Sequence, residues 1–255
     1  MAKGKAVVIG GGVAGLATAI RLRAQNWDVK LFEASKTVGG KMGELEKNGY
    51  RWDSGPSLFT MPQFVEELFL LHHKNMSDYI PYKKKEVVCN YFWDDGETFS
   101  MSAKPKKAIH ELAEKFNESP EKLKGYFERS LEKYQLTSPL FLEHSLHLWK
   151  NYFTKETFQA LVNFSKLEIS STLDQVNRQW FEHPKLVQLL NRFATYNGSS
   201  PYQTSGIMSM IPALEMHFGT YFPEKGMRSI AEGMYQLAKE VGVSFHLSEK
   251  VDQIL

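Results

Sequence analysis

The sequence predicts an α/β protein, and three features carry that expectation. Residues 5–10 (KAVVIG) form a short apolar run without alternation, the pattern of a parallel strand buried on both faces. Gly10-Gly11-Gly12-Val13-Ala14-Gly15 follows at once and satisfies G-x-G-x-x-G. Residues 28–33 (DVKLFE) then form a second strand that ends on a carboxylate, Glu33. Strand, glycine turn, helix, strand and acid, in that order, make a Rossmann-like βαβ unit.

The remaining elements can be read in chain order. Between the two strands, residues 14–25 set Leu16, Ile20 and Leu22 on one side of a helix and arginines on the other. Two glycine-punctuated stretches follow, Gly39-Gly40-Lys41 and Asp53-Ser54-Gly55-Pro56-Ser57, and residues 62–73 read as a helix. From about Tyr82 the character changes. Residues 86–93 and 98–101 are strands around the turn Asp94-Asp95-Gly96. Helical spacing then marks residues 108–117, 121–135 and 157–167, interrupted at Ser119-Pro120 and Ser138-Pro139, because a residue before proline avoids the helical region. Residues 185–194 are helical and run into the loop 196–202 (YNGSSPY); residues 206–218 are helical around Pro212. A helix at 227–241 and strands at 244–247 and 251–255 close the reading. A βαβ start, an inserted strand-and-helix region and a return to helix and strand imply a discontinuous nucleotide domain, residues 1–80 with 222–255. Residues 81–221 are then an inserted substrate domain. The last strand has no helix to cover it, so part of the nucleotide domain is expected to be missing from this chain.

Composition narrows the function classes. The chain has 255 residues, 42% hydrophobic and 24% charged, values of a globular protein rather than a disordered or fibrous one. A net charge of +2 is too mild to suggest nucleic acid as a partner. One cysteine, Cys89, cannot form an internal disulfide, which favours a reducing, cytoplasmic compartment. No signal peptide and no run of eighteen apolar residues is seen. His144 and His147 lack the further ligands of a metal site, and no H-E-x-x-H, P-loop or G-x-S-x-G motif occurs.

The glycine motif has a specific physical reading. Gly10 permits a tight turn, Gly12 lets the backbone approach a diphosphate, and Gly15 lets the helix pack close to the strand. The diphosphate then meets the free N–H groups of the helix start at Val13 and Ala14. Glu33, eighteen positions beyond Gly15, accepts hydrogen bonds from ribose hydroxyls and repels a ribose phosphate, which favours FAD or NAD over NADP. Gly39, Gly40 and Lys41 allow close backbone approach and a cation near a phosphate; Gly55, Pro56 and Ser57 form a further close turn. Together they suit a long cofactor stretched across the domain.

VVIGGGVAGLATAIRL, FEASKTVGGK and GYRWDSGPSLFTMPQFVEELF resemble the N-terminus of the carotenoid desaturases, the phytoene-desaturase type of FAD enzyme. The resemblance resumes at YNGSSPY and at YFPEKGMRSIAEGMYQLAKEVGV. The first blocks are shared with the wider flavin amine oxidase superfamily. SGPSLFTMP with YNGSSPY looks more like the hydroxycarotenoid branch than the phytoene branch. The resemblance implies a glutathione-reductase-like fold with FAD bound by Gly10, Gly12, Val13, Ala14, Gly15, Glu33, Ala34, Gly39, Gly40, Lys41, Gly55, Pro56 and Ser57. A strand through Val251 would pass near the adenine. Lys41 stands where the family usually has arginine, and keeps the charge without the bidentate fork. Lys225 replaces a glycine of the family's Pro-x-Gly-Gly-Met, which leaves in question where a left-handed residue would fall there. Members are roughly twice this length, so a truncated form or half of a split enzyme is implied.

The resemblance also implies the chemistry: a hydride leaves an allylic carbon for FAD, a proton leaves the neighbouring carbon, and a quinone or oxygen reoxidises the flavin. No catalytic acid or base is assigned, and Asp53 reads as a turn residue. The substrate is a lipophilic polyene, so a peripheral position on the inner membrane surface is expected. Leu140, Phe141, Leu142, Leu146, Leu148, Trp149, Tyr152 and Phe153, flanked by Lys150 and Lys155, suit either an interfacial helix or the insertion's own core. Two alternatives stay open: another flavin oxidase acting on amines or porphyrinogens, and a non-enzymatic escort for prenyl lipids.

Overall fold

A computed structural model describes residues 2–139 and 162–254. It divides into two compact units, residues 1–84 with 221–255, and residues 85–220. In chain order the first unit begins with β1 (Gly4–Ile9), α1 (Val13–Ala24) and β2 (Trp27–Glu33). A hairpin follows, β3 (Glu44–Lys47) and β4 (Tyr50–Asp53), then β5 (Phe59–Thr60), α2 (Gln63–Leu70) and β6 (Tyr82–Lys84). The second unit holds β7 (Val87–Phe92), β8 (Thr98–Ser102), α3 (Pro105–Phe116), α4 (Pro120–Ser138), α5 (Leu173–Trp180) and α6 (Pro184–Asn191). β9 (Thr220–Pro223), α7 (Arg228–Glu240) and β10 (Ser244–Leu247) complete the order.

The first unit is built on a parallel sheet of order β1-β2-β10. Alternation along the strands sends Val8, Val29 and Leu31 to one face. There they pack with Leu16, Ala19 and Ile20 of α1 and with Ile230, Ala231, Met234, Leu237 and Ala238 of α7. These helical residues recur at three- and four-residue intervals, so each helix offers one apolar stripe to the sheet. Arg23 ties the ends of this layer together: its Nε donates to the Val241 carbonyl at 2.7 Å and its Nη1 to the Trp27 carbonyl at 2.7 Å. The first donation serves a carbonyl just past the C-terminus of α7, where cations are favoured.

The opposite face corrects an expectation. The apolar run 5–10 reads as a strand covered on both sides, yet Val7 is 61% and Ile9 50% exposed. Apolar character on both faces predicts a second layer, and among the described residues none packs there. The expected strand at 251–255 is likewise not formed: residues 251–254 have no strand pairing. The chain leaves β10 through Ser248 (φ +60). Ser248 N then donates to the Ser35 carbonyl, and Glu249 N to the Glu33 carbonyl. Those bonds turn the backbone onto the loop after β2, and among the described residues no strand edge pairs with 251–254.

The second unit gathers β7, β8, α3, α4, α5 and α6 around Phe99, Met101, Leu112, Phe116, Leu123, Tyr126, Phe181, Leu186, Leu190 and Phe193. β7 and β8 form the expected hairpin, with Gly96 at φ +85 in its turn. Ser119 caps α4, its Oγ accepting from Lys122 N at 3.2 Å. Residues 206–218 are not one helix: they split into a tight 3₁₀ stretch, Gly206–Met210, and a widened π turn, Leu214–Phe218. Residues 157–161 of the helix expected over 157–167, and the aromatic run 140–153 with His144 and His147, lie outside the described residues; the described end of that helix is a 3₁₀ turn, Phe164–Leu167. Among the described residues no helix is long and apolar enough to cross a membrane.

The tightest joint of the βαβ unit tests this architecture directly. A Cβ at Gly15 would stand 1.9 Å from the Gly10 carbonyl oxygen, a backbone atom that cannot swing aside. Gly15→Ala is therefore expected to destabilise the first unit by about 2 kcal/mol or more. Chemical denaturation of the two proteins measures the difference.

Candidate functional site

The three glycine loops read from the sequence converge in the structure. Gly10 sits at φ +100 with open space where a side chain would project. Gly12 and Gly39 form a parallel backbone bridge, and Gly39 N donates to the Gly11 carbonyl at 2.9 Å. A Cβ on Gly40 would lie 3.2 Å from the Gly12 Cα, and one on Gly55 would lie 2.0 Å from the Lys41 carbonyl oxygen. Side chains at these places would force the loops apart.

Helix α1 opens at Gly12 without a side-chain cap and without an acid in its first turn. The N–H groups of the first turn, at Val13, Ala14 and Gly15, have no carbonyl one turn back within the helix. The helix dipole adds positive potential at that point. An uncapped, acid-free N-terminus entered through glycines is chemically matched to a diphosphate.

Glu33 lies one strand over. Its Oε2 accepts from Gly11 N at 2.6 Å and its Oε1 from Ser35 N at 2.8 Å. Burial works against its charge, but the backbone N–H groups of Ser35 and Gly11 outweigh that and hold the carboxyl below the usual glutamate range. The acid is thus ionised and oriented, with Ala34 exposed beside it. Lys41, Gly55, Pro56 and Ser57 are all exposed. Val251 is half-buried in the segment that replaces the expected strand, so the structure does not place it on a strand.

The structure also settles two details. Asp53 is no free base: both its carboxylate oxygens accept from Met227 N at 3.1 Å, and Arg51 lies 3.5 Å away. It anchors the segment that starts α7. The left-handed residue there is Gly226, at φ +84, so lysine at 225 carries no such demand.

Sequence reasoning missed a buried polar cluster in the second unit. Glu215, fully buried in the π turn, accepts from Arg192 Nη2 at 2.7 Å and from the Tyr196 hydroxyl at 2.6 Å. Arg192 Nε donates to the Tyr91 hydroxyl at 2.8 Å. Burial raises both tyrosines well above their ordinary range. Burial opposes the Arg192 charge as well, but Glu215 beside it prevails and the guanidinium is held more firmly protonated than usual. The cluster fixes Tyr196, the first residue of the loop 196–202. The only hint in the sequence is a glutamate inside an apolar stretch, IPALEMHF. Among the described residues no group of His, Cys, Asp and Glu is placed to hold a metal ion.

The parallel βαβ fold and these glycine loops at an uncapped helix start define the dinucleotide-binding class of protein. Residues 13–255 match the flavin containing amine oxidoreductase family, and the chain belongs to it. It is 46% identical over 250 residues to a 1-hydroxycarotenoid 3,4-desaturase of Flavobacterium sp. (strain P99-3), covering 98% of this chain and 51% of that protein. It is 31% identical over 251 residues to a 4,4'-diapolycopene oxygenase of Methylomonas sp., covering 98% of this chain and 50% of the other. The structure superposes on the cyclohexylamine oxidase of Brevibacterium oxydans IH-35A with a TM-score of 0.59 at 16% identity, covering 96% of this chain and 51% of that one. The last likeness is one of fold. The chain spans about half the length of the curated relatives it matches. FAD is the cofactor that accompanies this family, and the residues present fit it: open space at Gly10, an uncapped helix start and an oriented carboxylate at Glu33.

Two predictions follow from this geometry. Because the Glu33 pKa is lowered on folding, its contribution is complete above the unfolded value of about 4.3 and fades as pH falls through the folded value. The stability gap between wild type and Glu33→Gln should therefore be full above about pH 5 and close under strongly acidic conditions, as read by urea denaturation across pH. In the second unit, Glu215→Ala strips Arg192 of its buried partner. A loss of about 3 kcal/mol is expected, measured by thermal unfolding, with near-ultraviolet dichroism reporting the released tyrosines.

Proposed function

We propose that this chain forms the nucleotide-holding portion, with an inserted substrate domain, of an FAD-dependent carotenoid desaturase. The substrate is phytoene or a hydroxycarotenoid, with the hydroxycarotenoid favoured. The observation that carries this reading is the 46% identity to a 1-hydroxycarotenoid 3,4-desaturase across nearly the whole chain.

In this reading residues 1–80 and 222–255 hold FAD and residues 81–221 meet the polyene. Gly10 and Gly12 let the diphosphate reach the N–H groups of Val13, Ala14 and Gly15. Glu33, with Ala34 beside it, binds the ribose hydroxyls; Val251 lies toward the adenine. Gly39, Gly40 and Lys41, with Gly55, Pro56 and Ser57, line the path toward the flavin ring, and Lys41 balances phosphate charge. Bound FAD supplies the hydride acceptor that protein side chains lack. The chain's own work is to fix the cofactor, orient the polyene and keep water out. A quinone or oxygen takes the electrons afterwards. The apolar substrate and the leucine- and aromatic-rich sequence of 140–153 support contact with the inner membrane surface.

Titration of the purified chain with FAD, followed by flavin fluorescence, tests the cofactor assignment. Gly12→Val is expected to abolish binding, and Glu33→Ala to weaken it about tenfold, the loss of a charge-assisted hydrogen-bond pair. Anaerobic addition of a hydroxycarotenoid should bleach the bound flavin. Bleaching by amines alone would overturn the carotenoid assignment, and failure to take up FAD would overturn the cofactor site.

A further inference from the structure

The two loops placed toward the flavin ring in the proposed function, residues 39–43 and 54–57, are the two ends of one hairpin. β3 and β4 run antiparallel, from the pair Glu44 and Asp53 to the pair Lys47 and Tyr50. At the base the loops are joined by backbone. Ser54 N donates to the Gly43 carbonyl at 3.0 Å, and a Cβ on Gly55 would stand 2.0 Å from the Lys41 carbonyl oxygen. Whatever places the hairpin therefore places both loops.

The hairpin has no apolar anchor. None of residues 44–53 belongs to the apolar core of the first unit, and Leu45, Tyr50 and Trp52 are 57%, 68% and 49% exposed. Among the described residues its ties to the rest of the unit are polar and lie at its base. Asp53 accepts from Met227 N on both carboxylate oxygens. Arg228 Nε lies 3.1 Å from Glu44 Oε1 and 2.9 Å from Glu232 Oε1. Arg51 joins the two acids of the hairpin base: its Nε donates to Glu44 Oε2 at 2.6 Å, and its Nη2 lies 3.5 Å from Asp53 Oδ1. Charge thus alternates through Asp53, Arg51, Glu44, Arg228 and Glu232, from the hairpin to α7. The Arg51 guanidinium also covers Gly226, where a Cβ would fall 2.3 Å from Nη2. A left-handed glycine, at φ +84, admits that contact.

These ion pairs are partly exposed, and such pairs add little to stability one by one. Their effect on position is larger, because no packed core stands behind the hairpin. The planar fork of Arg51 reaches an acid on each strand and the backbone that starts α7, which fixes the hairpin against the helix as a point charge could not.

We infer that Arg51 is a positioning residue for the flavin end of the cofactor: through Glu44, Asp53 and Gly226 it sets where the loops 39–43 and 54–57 stand. This rests on the FAD reading above, which puts the diphosphate at Gly10 and Gly12, the ribose at Glu33, and these two loops toward the flavin. The Gly12–Gly39 bridge precedes the hairpin and supports the ADP end without it. Loss of Arg51 should therefore weaken FAD and spare ADP.

Calorimetric titration of the chain with FAD and with ADP tests this, with no assay of activity. Wild type should bind FAD more tightly than ADP. Arg51→Met should weaken FAD about tenfold and ADP by less than about twofold. Arg51→Lys keeps the charge without the fork and should recover only part of the loss. Glu44→Gln separates position from charge. Removing an anion would tighten an anionic ligand through space, whereas loosening the hairpin weakens FAD several-fold. Unchanged FAD affinity in Arg51→Met overturns the proposal. So do equal losses of FAD and ADP in a folded variant, full recovery by Arg51→Lys, or tighter FAD binding by Glu44→Gln. Equal wild-type affinity for the two ligands overturns it and leaves the nucleotide site standing; binding of neither overturns the FAD reading and the proposal together. Should circular dichroism show Arg51→Met unfolded, Arg51→Lys and Glu44→Gln decide, each expected to weaken FAD more than ADP.

Discussion

The site depends on backbone meeting backbone where glycines leave no side chain between. Gly11, Gly12, Gly39 and Gly40 let two loops run side by side, and Gly55 brings a third against Lys41. Glu33 locks the arrangement by accepting from Gly11 N. In the proposed function this carboxylate has two tasks. It holds the turn in shape through one oxygen, and it presents negative charge where a sugar hydroxyl can donate. Removing it would loosen the turn as well as strip the ligand of a partner.

The nucleotide-binding half of the fold was legible in the sequence because its physics is local. A glycine turn between two short apolar runs, closed by an acid, leaves few other solutions. The β3–β4 hairpin was less legible, although Asn48 and Gly49 both adopt positive φ at its tip. That pair is a strong hairpin signal, but ELEK holds a single apolar residue and YRWD, although it alternates, is only four residues long. Helix α5 escaped notice despite a complete capping box between Thr172 and Gln175, because it is short and polar.

Other features depend on distant partners and so leave no local trace. The partner of Asp53 is an amide 174 residues away. The Glu215 cluster joins three segments, Tyr91 in β7, Arg192 and Tyr196 in one 3₁₀ turn, and Glu215 in the π turn, and burial alone makes it matter. The apolar run 5–10 implied two covered faces, but the described residues cover one: Val8 is buried while Val7 and Ile9, on the other face, are exposed. The strand expected at 251–255 failed for a related reason: a strand needs an edge to pair with, and propensity cannot provide one.

The Asp53 bond to Met227 also bears on how the chain reaches its native state. β2 must find β10, and Asp53 must find Met227, across the whole of the second unit. Closing a floppy loop of that length costs entropy before any contact rewards it. If the intervening unit, with its own core, condenses first, it shortens the effective tether and brings the two ends of the first unit within reach. In that order the nucleotide domain folds late, and its glycine turn, though encoded in the first fifteen residues, gains its final support only when residues beyond 220 have been made.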